Sequence, residues 1–225
     1  DRAPGSDAHH GRLDLLHVHY AIPHATSAVM ARLVLERERR IKVVTTLHGT
    51  DVSLLGTDPG FYDLVAWSIN SSDGVTAVSQ ALARETRVRL PIGRPVEVIP
   101  NFVNTAVYKP HPVPDVRSSL APGGEFVICH TSNFRPVKRP VEVLRAFAGI
   151  AAEVPARLVL VGEGPEMPRL RTLAADLGLS DHVVYLGYQE RVADILAASD
   201  LFLLASEQES FGLAALEAMA CGTPV

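Results

Sequence analysis

Short apolar runs alternate with longer amphipathic ones along most of the chain. Runs at 13–20, 42–47, 74–78 and 96–99 read as strands, and 23–40, 61–71 and 80–90 between them read as helices. From 100 to 122 the pattern lapses into a Pro-rich segment that suits a linker. The alternation then restarts, with strands expected at 126–130, 157–161, 182–186 and 201–204. Helices are expected at 139–152, 166–177, 191–199 and 212–220. Strands alternating with helices predict parallel sheets covered by helices on both faces. The expected fold class is therefore α/β, with two doubly wound domains at 1–104 and 105–225. Residues 1–12 read as a polar, irregular lead-in. Ligands of doubly wound sheets bind beyond the carboxyl ends of the strands, so chemistry is sought just after each strand.

Composition narrows the partners. Hydrophobic residues make up 47% of the 225, enough for sizeable cores. The net charge of -4 comes from mixed signs without a basic block, so nucleic-acid binding is not expected. One local basic cluster, Arg135, Lys138 and Arg139, needs a reason. Cys129 and Cys221 lie in apolar runs without a CxxC partner, which argues against a structural zinc or a disulfide scaffold. Two reduced thiols fit a cytoplasmic protein. No apolar stretch reaches membrane-spanning length, and no signal peptide opens the chain. The chain starts at Asp1 without methionine and stops just after Cys221-Gly222-Thr223-Pro224, which reads as the lead into a further strand. Truncation at both ends is expected, and a homo-oligomer is left open.

Four segments after strands carry candidate chemistry. In Glu209-Ser210-Phe211-Gly212-Leu213 through Glu217, two glutamates eight residues apart on a helix would lie about 12 Å apart along its axis. Glu217 falls in an apolar run, where a carboxylate needs hydrogen-bond donors, and ligand hydroxyls would serve. Free amides at Phe211, Gly212 and Leu213 would suit a phosphate or sugar hydroxyl. Taken alone, the segment fits equally a glutamate favouring the helix dipole and another on a solvated edge. In Ser132-Asn133-Phe134-Arg135-Pro136-Val137-Lys138-Arg139, Arg135 and Lys138 are three apart and can hold a diphosphate and stabilise it on departure. A solvated basic helix start is the plain alternative, but cations there oppose the dipole unless an anion is near. Thr45-Thr46-Leu47-His48-Gly49-Thr50-Asp51 gathers polar groups at a strand end around a permissive glycine. His17-Val18-His19-Tyr20-Ala21-Ile22-Pro23-His24 sets two histidines on one strand face; lacking a third ligand, it reads as a hydrogen-bonded strand end and not as a metal site. Gly162-Glu163-Gly164-Pro165 lacks the spacing of a dinucleotide or P-loop motif.

Together the Glu209–Glu217 spacing, the Arg135/Lys138 pair, Val161-Gly162-Glu163-Gly164-Pro165 and Glu217-Ala218-Met219-Ala220-Cys221-Gly222-Thr223-Pro224 resemble retaining glycosyltransferases of family 4. Their GT-B fold pairs two Rossmann-like domains, the first on the acceptor side and the second binding the nucleotide sugar. Three segments, 17–25, 46–51 and 132–139, resemble the branch of that family that acts in bacillithiol biosynthesis. The resemblance implies UDP-N-acetylglucosamine as donor, L-malate as acceptor, retention at the anomeric carbon, and neither metal nor cofactor. By resemblance Arg135 and Lys138 take the diphosphate, Glu209 the sugar hydroxyls and Glu217 the ribose. Asn133, Gly164, Gln189, Phe211, Gly212 and Leu213 complete the donor set, with Gln189 near the base. His48 touches the donor sugar near the reaction centre, and Tyr20 and Thr50 contact malate. One departure bears on the acceptor: Ala66 and Trp67 stand where an arginine for an acceptor carboxylate is expected. A family 4 enzyme for a lipid-linked or inositol-type alcohol therefore stays open, as does an inactive nucleotide-sugar-binding fragment.

Overall fold

The computed structural model describes residues 13–35 and 41–225. The chain divides into two compact units, 1–101 and 102–225.

In the first unit, β1 (Leu15–His19), β2 (Lys42–Leu47), β3 (Gly74–Ala77) and β4 (Glu97–Val98) form a parallel sheet in that order. The helices Thr26–Leu35, Tyr62–Ser71 and Gln80–Arg89 cross between strands. Val43 and Leu47 of β2 are fully buried, as are Val65 and Ile69 of the second helix. The last helix begins where the sequence supplies a cap: the Ser79 hydroxyl accepts a hydrogen bond from the Leu82 amide. The expected helix at 23–40 is regular only over Thr26–Leu35, because Ala21–Ala25 forms a wide turn with a non-helical Ile22. Residues 36–40 of that expectation, like the lead-in 1–12, lie outside the described residues.

The second unit holds β5 (Phe126–Thr131), β6 (Ala156–Val161), β7 (Val183–Gly187) and β8 (Leu201–Phe202) in the order β7-β6-β5-β8, again all parallel. Alternate residues of the central strands feed two different cores, as the period-2 pleat requires. Val127, Cys129, Val159 and Val161 pack with Ala193, Leu196 and Leu120. Ile128, Leu158 and Leu160 pack with Leu144, Phe147 and Leu170. The sheet is therefore covered on both faces, which is why its strands read as unbroken apolar runs.

The 100–122 segment is not wholly a linker. Pro114–Leu120 is a helix with proline at its start, and its Leu120 is buried in the first of these cores. The prolines that suggested irregular chain include one that opens a helix.

Candidate functional site

In the first unit the candidates cluster at the exits of β1 and β2. His48 directly follows β2, and its Nε2 lies 2.8 Å from His19 Nδ1. The Tyr20 ring sits beside it, with centroids 4.9 Å apart. Tyr20 has left-handed backbone (φ 72°), and its amide donates to the Thr46 carbonyl, which anchors the exit of β1 to β2. Asp51 ties the two exits together. It is fully buried, with one carboxylate oxygen accepting from the Gly49 amide (2.9 Å) and the other from the Ala21 amide (3.2 Å). Burial raises its pKa, and these backbone donors pull it back down. Gly49, at φ 116°, makes the bend from which Thr50 starts a single helical turn, Thr50–Ser53, and Thr50 is exposed. Burial and the neighbouring His19 lower the His48 pKa against the opposing pull of Asp51, which keeps the imidazole neutral at pH 7. His19 and Asp51 are positional partners that the sequence placed in the right segments without a role.

In the second unit the loop after β5 and the loop after β8 meet. Lys138 Nζ donates to Glu209 Oε1 at 2.7 Å, and the Glu207 amide donates to the Val137 carbonyl at 3.0 Å. Arg135 and Asn133 are exposed on the same loop. Pro136–Lys138 forms a tight turn, and Arg139 follows with left-handed backbone (φ 47°), so the long helix begins only at Pro140. The basic residues thus stand ahead of the helix instead of on its first turn. The anion expected near them is supplied in part by the protein, through Glu209 and, at 3.7 Å from Arg139, Glu207.

Glu209 and Glu217 do not share a helix. Gly212, in left-handed conformation (φ 82°), caps the helix Leu213–Ala220, so Glu209 lies in the preceding loop and only Glu217 is helical. The 12 Å axial separation expected of a shared helix does not apply. No side chain of the capping residue covers the helix start, which leaves Phe211, Gly212 and Leu213 at an uncapped N-terminus. Glu217 is half-buried. Burial raises its pKa, and a hydrogen bond from the Tyr108 phenol lowers it. Tyr108 lay in the segment read as a linker, and no sequence signal pointed to it.

Gly164 borders the loop after β5. A Cβ at Gly164 would stand 1.9 Å from the Asn133 carbonyl oxygen, and one at Gly162 (φ 114°) 2.1 Å from that of Ser132. These glycines let the turn after β6 press its backbone against the basic loop. The Gln189 side-chain amide donates to the Leu186 carbonyl at 2.7 Å, which holds it at the exit of β7. Among the described residues no group of three or more His, Cys, Asp or Glu is placed to hold a metal ion. No helix of the described residues is long and apolar enough to cross a membrane.

Two parallel sheets, each with polar groups gathered at the carboxyl ends of its strands, are the frame of a GT-B transferase. Residues 6–107 match the family model Glycosyltransferase Family 4, and residues 114–225 match Glycosyl transferases group 1. The chain belongs to the family 4 glycosyltransferases. It is 47% identical over 213 residues to the N-acetyl-alpha-D-glucosaminyl L-malate synthase of Bacillus anthracis, covering 94% of this chain and 55% of that protein. It is 33% identical to the D-inositol 3-phosphate glycosyltransferase of Thermobispora bispora, covering 96% of this chain and 54% of that one. Among solved structures, Anabaena Alr3699/HepE in complex with UDP and glucose superposes with a TM-score of 0.78 at 25% identity, over 94% of this chain and 58% of that chain. The chain thus spans little more than half the length of these relatives.

Proposed function

We propose that this chain carries the acceptor-side (1–104) and nucleotide-sugar (105–225) parts of a retaining transferase that moves N-acetylglucosamine from UDP-N-acetylglucosamine to the hydroxyl of L-malate. The observation that carries the reading is the 47% identity, over 94% of the chain, to a protein named for that product. Arg135 and Lys138 hold the diphosphate, Glu209 the sugar hydroxyls and Glu217 the ribose hydroxyls. Asn133, Gly164, Phe211, Gly212 and Leu213 line the donor with backbone and side-chain groups, and Gln189 meets the base. His48, neutral at pH 7, faces the donor sugar, while Tyr20 and Thr50 receive malate. In the reaction the bond from the anomeric carbon to the UDP oxygen breaks as the malate oxygen bonds to the same face. The malate hydroxyl proton passes to the departing phosphate. Cationic charge at Lys138, already oriented by Glu209, stabilises that leaving group. Two buried, free cysteines fit a cytoplasmic setting.

A second reading has its own support. The similarity to the D-inositol 3-phosphate glycosyltransferase of Thermobispora bispora also spans nearly the whole chain, and Ala66 and Trp67 occupy a place where a carboxylate-binding arginine was expected. The test is to incubate the protein with UDP-N-acetylglucosamine and either L-malate or inositol 3-phosphate, and to weigh the products by mass spectrometry. A malate glycoside supports the first reading and an inositol glycoside the second. UDP binding without either product supports an inactive nucleotide-sugar-binding chain.

A further inference from the structure

His130 is a fully buried polar residue near the carboxyl end of β5, close to the charges of Lys138 and Glu209. Both ring nitrogens are satisfied: Nδ1 lies 2.9 Å from the Leu203 carbonyl oxygen, and Nε2 lies 2.9 Å from Ser132 Oγ. Their directions follow from chemistry. A carbonyl oxygen only accepts, so Nδ1 carries the proton. Burial lowers the pKa of the ring and keeps it neutral, so Nε2 is an acceptor. The Ser132 hydroxyl must then donate to Nε2, which leaves its oxygen to accept the Phe134 amide at 3.1 Å. The relay runs without ambiguity from Phe134 N–H through Ser132 and His130 to Leu203.

Its two ends are the roots of the two site loops. Leu203 follows β8 and opens the segment that leads to Glu209, while Ser132 follows β5 and opens the segment that leads to Lys138. Phe134 is fully buried with left-handed backbone (φ 40°), a conformation that a non-glycine residue keeps only when its surroundings impose it. Ser132 supplies part of that constraint, and the His130 ring, with centroid 5.5 Å from the Phe134 ring, supplies more. A purely apolar residue at 130 would fill the space between Phe134 and Phe202 but would tie neither loop.

We propose that His130 is a positioning residue: through Ser132 and Leu203 it sets the spacing of the Lys138 and Glu209 loops. This rests on the reading of those loops as the donor site. Ser132→Ala removes the relay's middle member while leaving every donor-site side chain in place. UDP affinity, measured by calorimetry on the protein, should fall about tenfold in Ser132→Ala, corresponding to about 1.4 kcal/mol. It should return to near the wild-type value in Ser132→Thr, which restores the hydroxyl. Nitrogen-15 NMR of the wild-type ring should show a protonated Nδ1 and an unprotonated, hydrogen-bonded Nε2 between pH 6 and 8, and this measurement stands even if the alanine variant fails to fold. A wild type that takes up no UDP overturns the donor-site reading and this inference with it. A wild type that binds UDP while Ser132→Ala binds equally well overturns this inference alone, even if the variant melts earlier. So does a ring protonated at Nε2, or a threonine variant that restores nothing.

Discussion

Glu217 concentrates the question of what a half-buried carboxylate is for. Its hydrogen-bond partner is the neutral phenol of Tyr108, and burial holds its pKa above the ordinary value. A carboxyl whose folded pKa is raised binds its proton more tightly in the folded state, so ionising it opposes folding as pH rises past its unfolded value. At neutral pH the charge therefore adds nothing to the fold, and Gln at this position can still accept from Tyr108. Glu217→Gln should melt at or slightly above the wild-type temperature. A charge-assisted hydrogen bond to ribose contributes about 1.5–3 kcal/mol, so UDP affinity should drop by about one to two orders of magnitude. Calorimetry and thermal melts on one variant separate the cases: a lower melting temperature with unchanged UDP affinity would make Glu217 a structural group. The glutamate was legible in the sequence because a carboxylate amid Leu213–Met219 is conspicuous. Tyr108 was not, because a contact between residues so far apart along the chain leaves no local pattern. The same holds for Asp51 and His130, polar residues whose value lies in which backbone groups the fold brings to them.

Strands and helices were more legible than the loops between them. Every strand expected from an apolar run is present, since burial on both faces leaves an unbroken signal. The helix Pro114–Leu120 was hidden because its proline, with those just before it, read as a breaker, although a proline suits a first turn. The helix start expected near Arg139 falls at Pro140, and that expected at Gly212 falls at Leu213, since left-handed residues precede both. Two glycines test how elements support the site. Gly164 has no room for a Cβ beside the Asn133 carbonyl, so Gly164→Ala must push the basic loop away. Overpacking of this kind typically costs about 1–3 kcal/mol, and both melting temperature and UDP affinity should fall. Gly149 is exposed within the helix Pro140–Ala151, with nothing within 4 Å of an added Cβ. Gly149→Ala should instead stabilise by about 0.5–1 kcal/mol, through helix propensity alone, and leave UDP affinity unchanged. A Gly164→Ala variant as stable as Gly149→Ala would show that the turn after β6 does not brace the basic loop.

At the scale of the whole molecule, each unit carries a histidine whose pKa is depressed chiefly by burial: His48 in the first and His130 in the second. The sign of their joint effect is fixed. Below the ordinary histidine value of 6.5 the unfolded chain takes up protons that the folded rings resist, so the unfolded state binds more protons and gains on acidification. Their contribution is fully present above pH 6.5 and is lost as pH falls below it toward the folded pKa values. His111 acts in the opposite sense, its pKa raised by the Lys109 carbonyl and by Asp194, but it is only partly buried and solvent screens the pairing. The raised carboxyls of Asp51 and Glu217 also favour the folded state on acidification, over the span that runs from their folded pKa values down to the ordinary 3.8 and 4.5, and so oppose the two rings wherever the ranges overlap. The protein should therefore melt at steadily lower temperature as pH is taken from 7.5 to 5.5. His48→Gln, which keeps a hydrogen-bonding side chain beside His19 but cannot charge, should flatten that slope without abolishing it, because His130 remains. Scanning calorimetry across the range reads both. A melting temperature that holds level or rises between pH 6.5 and 5.5 would mean that the two rings accept protons without resistance. Their burial would then play no part in keeping either one neutral.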